Sequence, residues 1–571
     1  MASDSEVKWM QRQLPRRSFL GAVAGTAGLG LLSSCVSGGA TKIVSSCADK
    51  LSYDIAPPPQ RPNEVISSTH GVPIAWTKYP APYVSWKGDP PGRGGTVTTF
   101  QILYGAPPAP MSQNPFWQEF NKRLGVTWQP TLVAQPDYAL KLDTLSSGNS
   151  FPDLTYVNFT QSSNAGATLS SAFEKIVSEG AFHDLTNYLS GSGLKQFQNL
   201  KLFPEITWKG SSFNGRIYGV PFPIAPVNGS IGLYRKDWAE KLGVDNPKNA
   251  SDVLKMFTAF ATGHPEGPNQ RTWGFATPFS ALWNSMFRVP NNWRLNSDGS
   301  LTKDLETEQY KAALDYAVQM WKAGAIYPDA LSLSFVQGQD LWLNGQVGFF
   351  AGGYQPMIGE MTPGPPPNLV VNVPHAKPYP LVPPGHDGGA PKIPANAANF
   401  GFTAIPTSIK DEKRIVELIK IMDYIAAPFG SEEFNFIQYG IEGTMYNMVN
   451  GVPVSVTNGN QNWKHGLNYL DSPAELNYFY PLDAKLGPFA QQVQADLVKK
   501  SVDDPTIGLF SPTWTSKGAN LSELVSNATK AIMVGRQPLS SLSTMISDWK
   551  QQGGNQARKE FEQALKKCGA K

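Results

Sequence analysis

Regular alternation of apolar and polar positions begins at residue 96. Val97-Thr98-Thr99-Phe100-Gln101-Ile102-Leu103 is β-branched and apolar and predicts a strand. Asn114-Pro115 then supplies a capping side chain and a proline at the first helical position. Phe116, Trp117, Phe120 and Leu124 recur at helical spacing until Gly125 ends the helix. Val126-Thr127-Trp128 predicts a second strand, and Tyr138 to Ser147 a second helix with Leu142 and Leu145 on one side and Gly148 after it. Leu154-Thr155-Tyr156-Val157 predicts a third strand. Strands and helices alternating through short links imply right-handed crossovers and a parallel sheet.

The pattern recurs downstream. Ile231 to Tyr234 reads as a strand, Lys236 to Leu242 as a short helix closed by Gly243, and Ser251 as the cap of a helix carrying Leu254, Phe257 and Phe260. Thr307 to Ala323 is amphipathic through Leu314, Ala317, Val318 and Trp321. Val347 to Phe350 is a buried strand. Ile415, Leu418, Ile419, Met422 and Ile425 form a helical stripe after Ser408. The last helix, Asp548 to Lys567, is broken by Gly553-Gly554. Two proline-rich stretches interrupt this order. Residues 36–95 read as a tether, although Trp76, Tyr79, Tyr83 and Trp86 hint that part of it packs on the body. Residues 363–394 carry eleven prolines and read as an irregular surface loop.

At 571 residues the chain is too long for one ordinary core, so at least two lobes are expected. Net charge is +3 with Lys and Arg dispersed, which gives no basic stripe of the kind nucleic-acid binding requires. The chain start adds an address. Lys8, Arg12, Arg16 and Arg17 precede Ser18-Phe19-Leu20, an apolar stretch too short to span a bilayer, and Leu32-Ser33-Ser34-Cys35. The paired arginines read as a twin-arginine export signal, and the last four residues as a lipobox. This is similar to bacterial lipoproteins, and the similarity implies that Cys35 becomes an acylated first residue anchored to the outer face of the cytoplasmic membrane. No later run is long and apolar enough for a span. Cys47 and Cys568 lie near the two mature ends and either pair in an oxidising compartment or stay as two thiols.

Motifs of catalysis are missing. The sequence holds no Gly-x-Ser-x-Gly elbow, no His-Glu-x-x-His, no Cys-x-x-Cys and no phosphate loop, and its histidines (70, 183, 264, 375, 386, 465) are scattered. An exported glycoside hydrolase would need two carboxylates at a fixed separation. Glu442 in Gly-Ile-Glu-Gly is the one to propose, and a structural turn explains it as well.

Several stretches in one order resemble the extracellular solute-binding proteins of ABC importers, the large oligosaccharide-binding lipoprotein branch in particular. They are Asn114 to Val126, Leu145 to Leu154, Asn214 to Pro221, Leu233 to Gly243, Asp298 to Leu301 with Tyr310 to Leu314 and Ala323 to Ile326, Asn344 to Gly348, and Gly440 to Gly443. The resemblance covers residues 95 to 565. It implies an α/β, two-lobed periplasmic-binding-protein fold of type II, maltose-binding-like, with a hinge between lobes and the ligand in the interlobe cleft. On that reading residues 96–225 and 400–490 form lobe 1, and residues 226–399 and 491–571 form lobe 2. The implied activity is hinge closure on a carbohydrate and delivery to a membrane permease, by a monomer with no cofactor. A peptide-binding importer component is the alternative within the same architecture. Large alginate-type members carry a calcium loop where this chain reads Gly263 to Arg271. One Glu there, with Pro265 and Pro268 around it, does not supply calcium's several oxygens, so no metal site is expected.

A neutral sugar offers apolar ring faces and many hydroxyls, so its site needs aromatic rings with amides or carboxylates at their edges. The candidates at lobe crossings and strand ends are Asp153, Asn228, Trp283, Asn284, Tyr354 and Asn399, with Trp273 and Trp514 beside them. For any single ring core packing competes with this role, and Asp153 could simply cap its turn.

Overall fold

The computed structural model describes residues 51–569, apart from 54, 56–60, 68, 70, 104–106, 135–136, 159–175, 230, 279, 363–367, 457–466 and 468–475. Two sheets organise it. In the first, the order is Thr127–Ala134, Thr96–Leu103, Leu154–Asn158, Asn399–Ala404, Gly219–Pro223. The first three strands are parallel. Asn399–Ala404, from far along the chain, runs antiparallel between Leu154–Asn158 and Gly219–Pro223. The early helix Pro115–Leu124 forms as its sequence demands: Asn114 Oδ1 accepts from Phe116 N, Gly125 takes a left-handed conformation (φ 69), and Phe116, Trp117, Phe120 and Leu124 are buried. They join Trp128, Leu418, Ile419, Met422 and Ile425 in one face of the first lobe's core.

The second sheet has the order Trp273–Phe275, Val347–Phe350, Leu233–Arg235, Pro378–Pro380. Trp273–Phe275 and Val347–Phe350 are parallel, and Leu233–Arg235 is antiparallel to both of its neighbours. Phe257, Phe260, Phe275, Trp283 and Phe349 fill one side of it, and Leu233, Trp342, Phe350, Tyr354 and Ala490 the other. The C-terminal helices Pro512–Met533, Ser541–Trp549 and Asn555–Cys568 form a further layer on this lobe: Met533 enters the second lobe's core, and Tyr310 packs against both groups.

Three sequence expectations need correction. The arm before residue 96 is not a free tether from residue 61 on. Glu64–Val65 pairs with Ile74–Trp76, which pairs with Asn477–Tyr478. Side-chain alternation along that strand drives Trp76 into the first lobe's core and Ala75 into the second's. The proline-rich insertion is also partly sheet: Pro378–Pro380 is an edge strand and Ile393–Pro394 pairs with Ser501–Val502. Edges tolerate proline because its missing N–H faces away from the ladder. The helix Leu486–Val498 packs with the second lobe, a few residues earlier than expected.

Candidate functional site

Three chain crossings join the lobes. The first leaves Gly219–Pro223 and enters Leu233–Arg235, the second arrives at Asn399, and the third follows Ser501–Val502 and brings Ile507 into the first lobe's core. Buried amides fasten them together. Asn396 Nδ2 donates to the Ala225 carbonyl (2.9 Å) and its N–H to that of Pro226 (2.7 Å), while Ile224 N donates to Ala398 O (3.1 Å). Asn291 Nδ2 donates to both Ala395 O (2.9 Å) and Val502 O (3.0 Å), binding the second crossing to the third. Asp504, fully buried, accepts from Asn292 Nδ2 (2.8 Å) and from Thr506 N and Oγ1 (2.8 and 2.7 Å); burial raises its pKa.

Strand direction locates the cleft. Phe350 pairs with Leu233, the first residue of the strand that follows the first crossing. The carboxyl end of Val347–Phe350, and of its parallel partner Trp273–Phe275, therefore faces the other lobe. In the first lobe Gly219–Pro223 runs parallel to Leu154–Asn158 through their shared antiparallel neighbour and exits toward the crossing, so these carboxyl ends face the cleft too. Ligands of open α/β sheets sit outside the carboxyl ends of strands.

The expected site residues divide on this geometry. Asn228, Asn284 and Asn399 lie at the crossings. Asn228 O accepts from Tyr354 N (2.7 Å), which pins the first crossing to the helix Tyr354–Gly359. Asn284 is half-buried on the helix Ser280–Met286, whose Ser285 O accepts from Lys392 N (3.0 Å) just before the second crossing. Asn399 Nδ2 donates to Ser211 Oγ (3.1 Å), and its buried Oδ1 has no partner among the described residues. The remaining candidates are engaged elsewhere. Asp153 accepts from Thr98 N and Oγ1 (2.9 and 3.0 Å) and pairs with Arg414 (3.4 Å) at the amino ends of the parallel strands, away from the crossings. Trp273 begins its strand, so it too is at the far end, edge-on to Tyr327 with centroids 4.7 Å apart. Trp283 and Trp514 are core residues of the second lobe and the helical layer. The Tyr354 ring is buried, its hydroxyl donating to Ala490 O (3.1 Å), and burial raises its pKa. Cys35 and Cys47 lie outside the described residues; Cys568 is disulfide-bonded.

Sequence reasoning missed Asn291, Asn396 and Phe335. The first two carry no motif, since an amide that staples two loops is recognisable only once the loops are adjacent. Phe335 has a local signal in the capping box Ser334 to Gln337 that fixes the start of its helix.

The Gly263 to Arg271 loop holds a different surprise. Glu266 lies with Asp237 and His375 so that one ligand atom of each falls within 4.8 Å of the others, a spacing a metal could use. Its oxygens are already engaged: Arg235 Nη2 donates at 2.5 Å, Trp238 Nε1 at 2.6 Å, and His375 Nε2 lies 2.8 Å away. Arg235 is fully buried and also pairs with Asp237 (2.6 Å). Burial pushes the Glu266 carboxyl up, yet the bonds from Trp238, Arg235 and His375 outweigh it and leave its pKa below the ordinary value. A metal cation placed here would meet a guanidinium that already neutralises both carboxylates.

Fold and cleft together define a two-lobed binding protein. The family profile "Bacterial extracellular solute-binding protein" matches residues 116–426, and the chain belongs to that family, whose members bind solutes and are not enzymes. Among its relatives is the polygalacturonan/rhamnogalacturonan-binding protein YtcQ of Bacillus subtilis (strain 168), 22% identical over 461 residues, which span 78% of this chain and 86% of YtcQ. Lipoprotein LipO of the same organism is 23% identical over 492 residues, 82% of this chain and 92% of LipO. In fold, the chain is similar to the S. pneumoniae ABC-transporter substrate-binding protein FusA in complex with kestose. The TM-score is 0.57 at 16% identity, covering 83% of this chain and 99% of FusA.

Proposed function

We propose that this protein is the solute-capturing component of an ABC importer, and that it closes its two lobes on an oligosaccharide and presents it to a membrane permease. The observation that carries this reading is the cleft geometry: strands of both lobes end at one gap spanned by three crossings, within a family of extracellular solute-binding proteins. Ligand that touches both lobes only in the closed form shifts the open–closed equilibrium by its differential affinity. Carbohydrate cargo is supported by YtcQ, which binds a polysaccharide, and by the kestose complex of FusA. Twin-arginine export and acylation of Cys35 follow from the chain start, and LipO supports a lipoprotein assignment. We further infer that Cys47 is the partner of Cys568 and that the protein acts as a monomer.

A thermal-shift screen of the residue 36–571 protein against oligosaccharides and peptides tests the reading. Oligosaccharides are expected to raise Tm. Stabilisation by peptides alone overturns the carbohydrate assignment, and shortening of any oligosaccharide by purified protein overturns the binding role. Cys35→Ser is expected to move the protein from the membrane to the soluble fraction, and membrane retention would overturn the anchor.

A further inference from the structure

Phe335 stands apart from the other aromatic rings among the described residues, which are buried or half-buried. It is 52% exposed, and the next residue, Val336, 60%. Among the described residues it is the only aromatic side chain in the exposed class. Its position is fixed. Ser334 caps the helix Phe335–Leu343, with Ser334 Oγ accepting from Gln337 N (3.3 Å) and Gln337 Oε1 from Ser334 N (2.8 Å). One turn on, Gly338 brings the helix backbone close to the strand ends: a Cβ there would lie 3.6 Å from the side chains of Ala276 and Thr277, just past the carboxyl end of Trp273–Phe275. The Phe335 ring itself lies 5.3 Å from that of Phe350, the last residue of Val347–Phe350. The exposed ring thus stands on the second lobe's cleft-facing rim, against the ends of its two parallel strands.

The surrounding chain has a second property. No Asp, Glu, Lys or Arg occurs in residues 219–234, 276–287, 350–359 or 393–409, the segments that leave these strand ends and make the first two crossings, and the third crossing adds only acidic groups, Asp503 and Asp504. From Ala323 to Ala376, which includes the Phe335 helix, there is no Lys or Arg. A uronate sugar needs cationic partners for its carboxylates, and a peptide needs them for its termini. An uncharged pyranose or furanose needs an apolar face to stack on and amides for its hydroxyls. Asn228, Asn284 and Asn399 bring amides to the crossings.

Building on the carbohydrate reading above, we propose that Phe335 is the platform on which the second lobe stacks a sugar ring, and that the cargo is a neutral oligosaccharide rather than a uronate. This separates the protein from YtcQ, whose ligands are polygalacturonan and rhamnogalacturonan.

The test is calorimetric titration of the residue 36–571 protein with neutral fructo-, gluco- and manno-oligosaccharides and with oligogalacturonates, for wild type, Phe335→Ala and Phe335→Trp. A neutral oligosaccharide is expected to bind wild type. Phe335→Ala is expected to weaken it at least tenfold while leaving the ligand-free Tm unchanged, since the ring is half exposed, and Phe335→Trp to stay within about threefold of wild type. Equal affinity of wild type and Phe335→Ala overturns the platform alone. Tighter, salt-sensitive binding of oligogalacturonates overturns the neutral-cargo assignment alone. Self-association abolished by Phe335→Ala, with sugar affinity intact, assigns the ring to a contact between copies and overturns the platform. Failure of wild type to bind any carbohydrate overturns the reading beneath the proposal, and the proposal with it.

Discussion

Single residues decide how this protein responds to pH. Glu360 is buried, accepts from Trp342 Nε1 (2.7 Å) and caps the Leu369 N–H, and burial pushes its pKa up to about 7 against those bonds. A carboxyl whose folded pKa is raised favours the native state while protonated. Its destabilising effect is absent below the unfolded value near 4.5, grows as pH rises toward 7, and is complete above that. Glu360→Gln keeps an acceptor for both donors and removes the charge. It is expected to stabilise the protein at pH 8 by up to about 3 kcal/mol and to flatten the Tm–pH curve between pH 4.5 and 7. Scanning calorimetry across that range checks it, and a variant that tracks wild type at every pH would sink the assignment. Arg235 presents the opposite case, because it neutralises two carboxylates in the second lobe. Arg235→Met leaves Asp237 and Glu266 together without their cation and should lower Tm, with a loss of roughly 3–5 kcal/mol. Added calcium should not restore it if the guanidinium is the cation this loop is built around; recovery by calcium in a melting experiment would refute that.

At the scale of elements, the strap Ile74–Trp76 is the piece that composition hid. Trp76 lies against Phe429 with centroids 5.2 Å apart and beneath the Arg61 guanidinium at 4.5 Å. Trp76→Ala should cost about 3–5 kcal/mol as a cavity and loosen the arm, which limited proteolysis before residue 96 would report. Uncut arm and unchanged Tm would show that the strap carries no stability. Proline density made this segment read as tether because proline forbids helix and central strand, while a two-residue pairing with a late strand leaves no local pattern. The same blindness covers Pro378–Pro380 and the mid-sheet insertion of Asn399–Ala404, both non-local pairings. Locally encoded elements were legible: the predicted helix after Asn114-Pro115 and the strands around it form, as does the break at Gly553 (φ 145). One cap position drifted, with Asn249 rather than Ser251 accepting the first-turn N–H. In the site, the crossings were legible through Asn228 and Asn399. Exposure was not, because no pattern in the sequence distinguishes the covered rings of Trp283 and Trp514 from the uncovered one of Phe335.

At the scale of the whole molecule, the proposed Cys47–Cys568 bond would bear on the hinge. Tyr53 bridges to Gly191 and stacks near Trp208 at 6.3 Å, so the arm begins on the first lobe. Cys568 ends the last helix, in the layer carried by the second lobe, where it packs with Trp549 and Phe561. Cys47 lies four positions before Leu51, a reach of at most about 14 Å. A Cys47–Cys568 bond would therefore tie the first lobe's arm to the second lobe's outer layer, a covalent link beside the three crossings. Such a link constrains the unfolded chain, and its loss should lower Tm by an amount equivalent to about 2–5 kcal/mol. Cys47→Ser and Cys568→Ser should each lower Tm to the level of the reduced wild type, and neither should respond further to reductant. If the link also limits lobe opening, both variants should show a larger radius of gyration without ligand than wild type, and the same one with saturating oligosaccharide. Small-angle scattering on the four combinations distinguishes the roles. Equal radii without ligand but lowered Tm would leave the bond a staple of stability alone, and a Tm lowered by Cys568→Ser but not by Cys47→Ser would show that Cys47 is not the partner.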